Sequence, residues 1–96
     1  MRIAKVVGVA VATVKDRRLE GGKLLLVAEA DPTGAATGRP FVALDVVGAG
    51  DGELVLVVEG SSARIAAGDA SRPVDAVIVG ILDSLRHDGQ MTYHKS

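Results

Sequence analysis

The sequence predicts a mainly β domain, a five-stranded OB-like β-barrel with one short helix before its last strand. Three observations carry that prediction. Fifteen valines and four isoleucines crowd into 96 residues, and such stiff β-branched side chains favour pleated sheet over helix. Five apolar stretches are separated by segments rich in glycine, proline and charge, as short strands and turns require. The first stretch is long and broken only by Gly8, which matches the long, coiled first strand typical of OB barrels.

Taken in order, Arg2 to Val14 reads as one strand bent at Gly8. Ile3, Val7, Val9 and Val11 alternate with Ala4, Val6, Ala10 and Ala12, so both faces are apolar and both need cover, from the same domain or from a neighbour. Lys15 to Gly22 is polar and ends in two glycines, a solvated connection. Lys23 to Ala30 is the second strand. Asp31 to Pro40 holds Pro32, Gly34, Gly38 and Pro40 and reads as a loop. Phe41 to Val47 is the third strand and Glu53 to Glu59 the fourth. Between them Asp51-Gly52 signals a tight hairpin, because glycine accepts positive φ without steric cost.

Ser61 to Ala67 offers serine N-caps and then Gly68 as a stop, enough for about two helical turns. Val74 to Leu82 fits both a helical and a strand period, and its β-branched density favours a fifth strand. The barrel domain is placed at residues 1–86. Residues 87–96 form a C-terminal tail, either frayed or docking elsewhere as an arm.

A single domain this small buries only about two-thirds of the surface its unfolded chain exposes, so partner subunits would help it. The chain has no cysteine, which excludes disulfides, thiolate metal sites and a cysteine nucleophile. Eleven basic side chains face 12 acidic ones, for a formal charge of −1, and that balance supplies no field to attract nucleic acid or anionic lipid. The N-terminus lacks the apolar run of a signal peptide, and no apolar run approaches the roughly 20 residues that span a bilayer. The protein is expected to stay in the cytoplasm, with no membrane partner.

The individual motifs favour structural roles. Gly48-Ala49-Gly50-Asp51-Gly52-Glu53 lacks the spacing of a dinucleotide fingerprint and the lysine of a P-loop, and it leads into a strand, not a helix. Gly60-Ser61-Ser62-Ala63-Arg64 lacks the second glycine of a nucleophile elbow. Asp45, Asp75 and Asp83 lie in or beside apolar segments, where a carboxylate must find a partner or stay at the surface, and structural or interfacial ion pairs with Arg64, Arg72 or Lys15 are expected over acid-base catalysis. His87 and His94 lack the spacing of a metal-binding pair. Catalytic, metal and cofactor sites are therefore each expected to be none.

Laid end to end, these segments resemble the EutN/CcmL family, the pentameric vertex proteins of bacterial microcompartment shells. The likeness is carried by Val6-Val7-Gly8 with Thr13-x-Lys15, by Lys23-Leu24-Leu25, and by the run from Ala43 to Val57 across the glycine turn. It continues through Gly60-Ser61-Ser62-Ala63-Arg64, the run from Pro73 to Asp83, and Tyr93-x-Lys95. Departures are Leu54, where relatives often carry a larger aromatic, and the Asp31 to Arg39 loop, which has no distinctive match.

The resemblance implies a homopentamer at the corners of a polyhedral shell in the bacterial cytoplasm, otherwise tiled by hexameric and trimeric shell proteins. It implies a structural protein and no enzyme. On this reading Gly8, Gly48, Gly50 and Gly52 fix backbone bends, while Asp45, Arg64 and Asp75 hold the protomer or ring in register. The helix is expected to point its N-terminus toward the five-fold axis, with Gly60, Ser61 and Ser62 lining a narrow pore that favours anions. The competing reading is a small OB-like binding module for single-stranded nucleic acid or oligosaccharide. Such a groove needs basic residues and stacking aromatics, and Phe41 and Tyr93 are the only aromatics here. A hydrolase subunit using Asp45 or His87 ranks last, with no motif behind it.

Overall fold

The computed structural model describes residues 1–13, 16–19, 22–68 and 73–95. Its strands are β1 (Arg2–Val9), β2 (Lys23–Ala30), β3 (Ala36–Asp45), β4 (Leu54–Glu59) and β5 (Ala76–Ile81), with a 3-10 turn at Arg17–Leu19 and the helix α1 (Ser61–Ala66) between β4 and β5. The five strands close into a barrel in the order β1-β2-β3-β5-β4. All neighbours are antiparallel except β3 and β5. A separate two-stranded sheet follows, made of β6 (Ser84–His87) and β7 (Gln90–His94).

The interior is filled by short aliphatic side chains. Ala4, Val6, Leu25, Val27, Ala43, Ala49, Val55, Val57, Ala76 and Ile78 form the inner cluster, with Phe41 and Ile81 packed against it. A second cluster lies outside the barrel wall, where Leu44 and Val77 pack beneath Ala63 of the helix and Ala67 at its C-terminal cap. Among the described residues no polar or charged residue is buried. Each fully buried Leu, Val or Ile contributes on the order of 1.5–3 kcal/mol through water removal, so the fold rests on this apolar volume. The second cluster explains why strands in this chain are apolar on both faces.

Several expectations require correction. The first strand ends at Val9, with Ala10 to Thr13 beyond it and Val14 outside the described residues, although its register does shift between Val6 and Gly8 as a glycine bulge should. The third strand starts at Ala36, inside the expected loop, because β2 offers it a ladder in which Ala28 pairs with Pro40 and, after a register shift, Ala30 with Ala36. β3 and β4 are not hairpin partners, since β5 lies between them. The helix is capped by Gly60, with φ of 66° and no side-chain hydrogen bond from either serine. Residues 84–94 are not frayed. They fold into the β6–β7 hairpin, which begins inside residues 1–86 and runs into the expected tail.

Candidate functional site

Among the described residues the distinctive features are surfaces. One is the open mouth of the barrel, a hollow of about 540 Å³ lined by Arg2, Glu29, Arg39, Phe41, Glu59 and Asp75 among others. Arg2 sits near the start of β1, between β2 and β4, so its guanidinium meets a carboxylate from each neighbouring strand. Its Nη1 donates to Glu29 Oε2 at 2.9 Å and its Nη2 to Glu59 Oε2 at 2.8 Å. The guanidinium carbon also stands 5.2 Å from the Phe41 ring centroid. The hydrogen bond to Glu59 raises the Arg2 pKa, and this fork ties three strands together. The tie is partly solvated, so its energetic value is modest.

The glycine turn between β3 and β4 is organised by Asp45. Its Oδ1 accepts the backbone N–H groups of Val47 and Gly48, each at 3.1 Å, and its Oδ2 accepts that of Ala49 at 2.9 Å. Asp45 thus spends its carboxylate on amides and forms no ion pair with Arg64 within the protomer. The turn then returns to β1, where Gly52 N–H donates to the Val6 carbonyl at 2.8 Å and Val6 N–H donates to the Glu53 carbonyl at 2.9 Å. Gly48 and Gly52 adopt φ of 80° and 81°, while Gly50 N–H donates to Glu53 Oε1.

Asp75 is exposed and lies at the barrel mouth. Its side chain forms no ion pair with Arg64, and its backbone carbonyl accepts Gly60 N–H at 3.0 Å, tying β5 to the start of α1. Arg64 is half-buried in the last turn of that helix. Gly60, Ser61 and Ser62 are all exposed where the helix begins. Arg72 and Lys15, the other expected partners, and with Lys15 the Thr13-x-Lys15 motif, lie outside the described residues.

Sequence reasoning missed the C-terminal anchor. Lys95 Nζ donates to Glu53 Oε2, Lys95 N–H donates to the Asp83 carbonyl at 2.8 Å, and Leu82 N–H donates to the Leu54 carbonyl at 2.9 Å. The hydrogen bond to Lys95, aided by the Gly50 amide, holds the Glu53 pKa below the ordinary glutamate value, and the same bond raises that of Lys95. Tyr93 packs beside Gly34, whose φ of +91° and lack of a Cβ let the ring approach. A nearby signal was present in the sequence. Asp88-Gly89 is a hairpin pair, and both residues adopt positive φ, 52° and 77°, as a type I′ turn demands.

Large apolar side chains also remain in water. Val9 is 60% exposed, Val11 94%, Ile65 73% and Met91 55%, with Val7, Val42, Val46 and Val47 also exposed. Chemistry is sparse by comparison. His87 is exposed beside Asp88, and among the described residues no group of three or more His, Cys, Asp or Glu side chains could hold a metal ion. Among the described residues no helix is long and apolar enough to cross a membrane. The mouth hollow offers three carboxylates against two arginines and one aromatic ring, a poor match to a groove that follows a phosphate backbone.

Known proteins match this chain along nearly its whole length. The chain is similar to the protein named bacterial microcompartment shell vertex protein EutN of Escherichia coli K12, 45% identical over 95 residues that cover 99% of this chain and 100% of that one. It is 47% identical to the carboxysome shell vertex protein CcmL of Synechocystis sp., across 99% of this chain and 95% of that one. Among solved structures, the pentameric microcompartment shell protein GrpN of Rhodospirillum rubrum superposes with a TM-score of 0.80 at 41% identity, covering 91% of this chain and 99% of its own. Residues 1–83 match the profile described as ethanolamine utilisation protein EutN/carboxysome, and the chain belongs to this EutN/CcmL family.

Proposed function

We propose that the chain is a structural vertex subunit of a bacterial microcompartment shell. Five copies close into a ring, each ring fills a corner, and the corners let a sheet of hexameric and trimeric tiles bend into a closed body. Hexagonal tiles alone make a flat layer, so a pentagonal piece is what convex closure requires. The observation that carries this reading is identity over essentially the whole chain to proteins named as shell vertex proteins. The physical support is the set of exposed valines, which a head-to-tail ring would shield from water.

The function is then shape, with no catalytic step and no cofactor. Gly60, Ser61 and Ser62 would face the axial opening, a placement supported by their exposure at the start of α1. Contacts with neighbouring tiles can be individually weak, because a closed shell repeats them many times. The test is assembly in a host that produces the tiles with and without this chain, followed by electron microscopy. Closed polyhedra with filled corners are expected when the chain is present, and open or elongated assemblies when it is absent. Equal closure in both cases would contradict the proposal.

A further inference from the structure

The barrel is open at one end, and side-chain alternation explains why. On β1, Ala4 and Val6 point inward, and so does Arg2 two residues earlier, since alternate residues of a strand share a face. On β2, Leu25 and Val27 are followed by Glu29, and on β4, Val55 and Val57 by Glu59. Three inward rows thus end on a charge at the same rim. The helix does not plug this end, because it packs on the outer wall against Leu44 and Val77. What remains is the hollow of about 540 Å³, floored by Phe41 and Ala76. Its volume lies in the range of small-molecule sites, which are concave spaces holding a few convergent polar groups.

Charge divides the lining into two parts. Arg2 is bonded to Glu29 and Glu59 and lies over the Phe41 ring, so this trio is internally satisfied and carries one net negative charge. Arg39 and Asp75 are the remaining ionisable groups of the lining. Both are exposed, and among the described residues neither side chain has a hydrogen-bond or ion-pair partner. Nor do they pair with each other, so their charged ends stand farther apart than a salt bridge, with Val42 and Ala76 lining the same space. A simple anion entering here meets an excess of carboxylates, and a simple cation meets an unpaired guanidinium. A molecule that carries both charges satisfies both groups.

We propose that the barrel mouth binds a small zwitterion, a compound whose carboxylate and ammonium groups are joined by a short methylene chain. The carboxylate accepts from Arg39, whose planar fork suits two parallel N–H···O bonds. The ammonium donates to Asp75, and the methylenes lie along Phe41, Val42 and Ala76. Arg2 acts as a positioning residue, because its bonds to Glu29 and Glu59 keep those carboxylates from competing for the ammonium. Every group involved comes from one chain, so the site is complete within a protomer.

The test uses a series of straight-chain amino acids, from glycine through β-alanine, γ-aminobutyrate and δ-aminovalerate to ε-aminocaproate. The amine and the carboxylate of each length serve as controls. Binding to the parent chain, in whatever assembly it forms, is followed by ligand-observed saturation-transfer NMR, and its location by the amide shifts of Gly38, Val42 and Ala76. One length should bind at least about tenfold tighter than its own amine and carboxylate, which one charge-assisted hydrogen bond can supply. Arg39→Gln and Asp75→Asn should each erase that margin with the circular dichroism unchanged, since neither side chain has a partner among the described residues. Asp51→Asn, an exposed change in the glycine turn, should keep the margin. A series in which no length exceeds its amine and carboxylate, or a margin that survives either mouth substitution, would overturn the proposal. Binding that leaves those three amides unmoved would overturn it as well.

Discussion

Replacing Asp45 with alanine isolates one carboxylate whose three acceptor bonds differ in how easily water can replace them. Val47 and Gly48 are exposed, so their amides would rehydrate, at about 0.5 kcal/mol each. Ala49 is 1% exposed and belongs to the inner core, so its amide would be left unsatisfied at about 1–3 kcal/mol. The total is about 2–4 kcal/mol, equivalent to about 10–20 °C in melting temperature for a domain of this size. Asp45→Asn keeps one acceptor oxygen and should lose roughly half as much. Thermal unfolding followed by circular dichroism reads the difference, at one fixed protein concentration because assembly adds to apparent stability. An alanine variant melting within about 2 °C of the parent, or an asparagine variant as damaged as the alanine one, would refute this reasoning.

Three further outcomes follow from the core and the C-terminal anchor. Leu25→Ala removes a side chain only 1% exposed in the inner cluster and should cost about 2–5 kcal/mol in urea unfolding; a loss under about 1 kcal/mol would mean the barrel collapses around the gap. Gly34→Ala would place a Cβ 2.9 Å from Tyr93 Cδ1 at a φ of +91°, so it should displace the hairpin base. Fluorescence reports this cleanly, because Tyr93 is the only tyrosine and there is no tryptophan. The Glu53–Lys95 tie should titrate with a definite sign. Glu53 is depressed below its ordinary 4.5, so the tie is complete above that value and is lost as pH falls through the folded one. Lys95 is raised above 10.5, so its share is lost only on the alkaline side. Tyr93 fluorescence should therefore change as pH falls below 4.5 in the parent and stay flat in Glu53→Gln.

Legibility of the sequence divided along physical lines. The barrel, its helix and the bulge at Gly8 were readable because β-branched density and a strand-interrupting glycine act locally. The start of β3 was not, because Gly38-Arg39-Pro40 has turn composition and becomes strand only through the ladder that β2 supplies. The two Asp-Gly pairs changed places. Asp51-Gly52 looked like a hairpin but joins strands separated by β5, a question of topology that local chemistry does not decide. Asp88-Gly89 makes the two-residue hairpin turn, but its strands are too polar to stand out. Asp45 was singled out from its position beside apolar residues. Its partners are amides rather than arginines, a choice fixed by the turn that follows it.

The central claim is that exposed apolar surface on this protomer is shielded only when five copies meet in a ring. Native mass spectrometry of the purified parent chain at micromolar concentration tests it most directly. The account predicts a dominant species near 49 kDa, five times the 9.8 kDa protomer. A clean 9.8 kDa monomer with its valines still in water would contradict it.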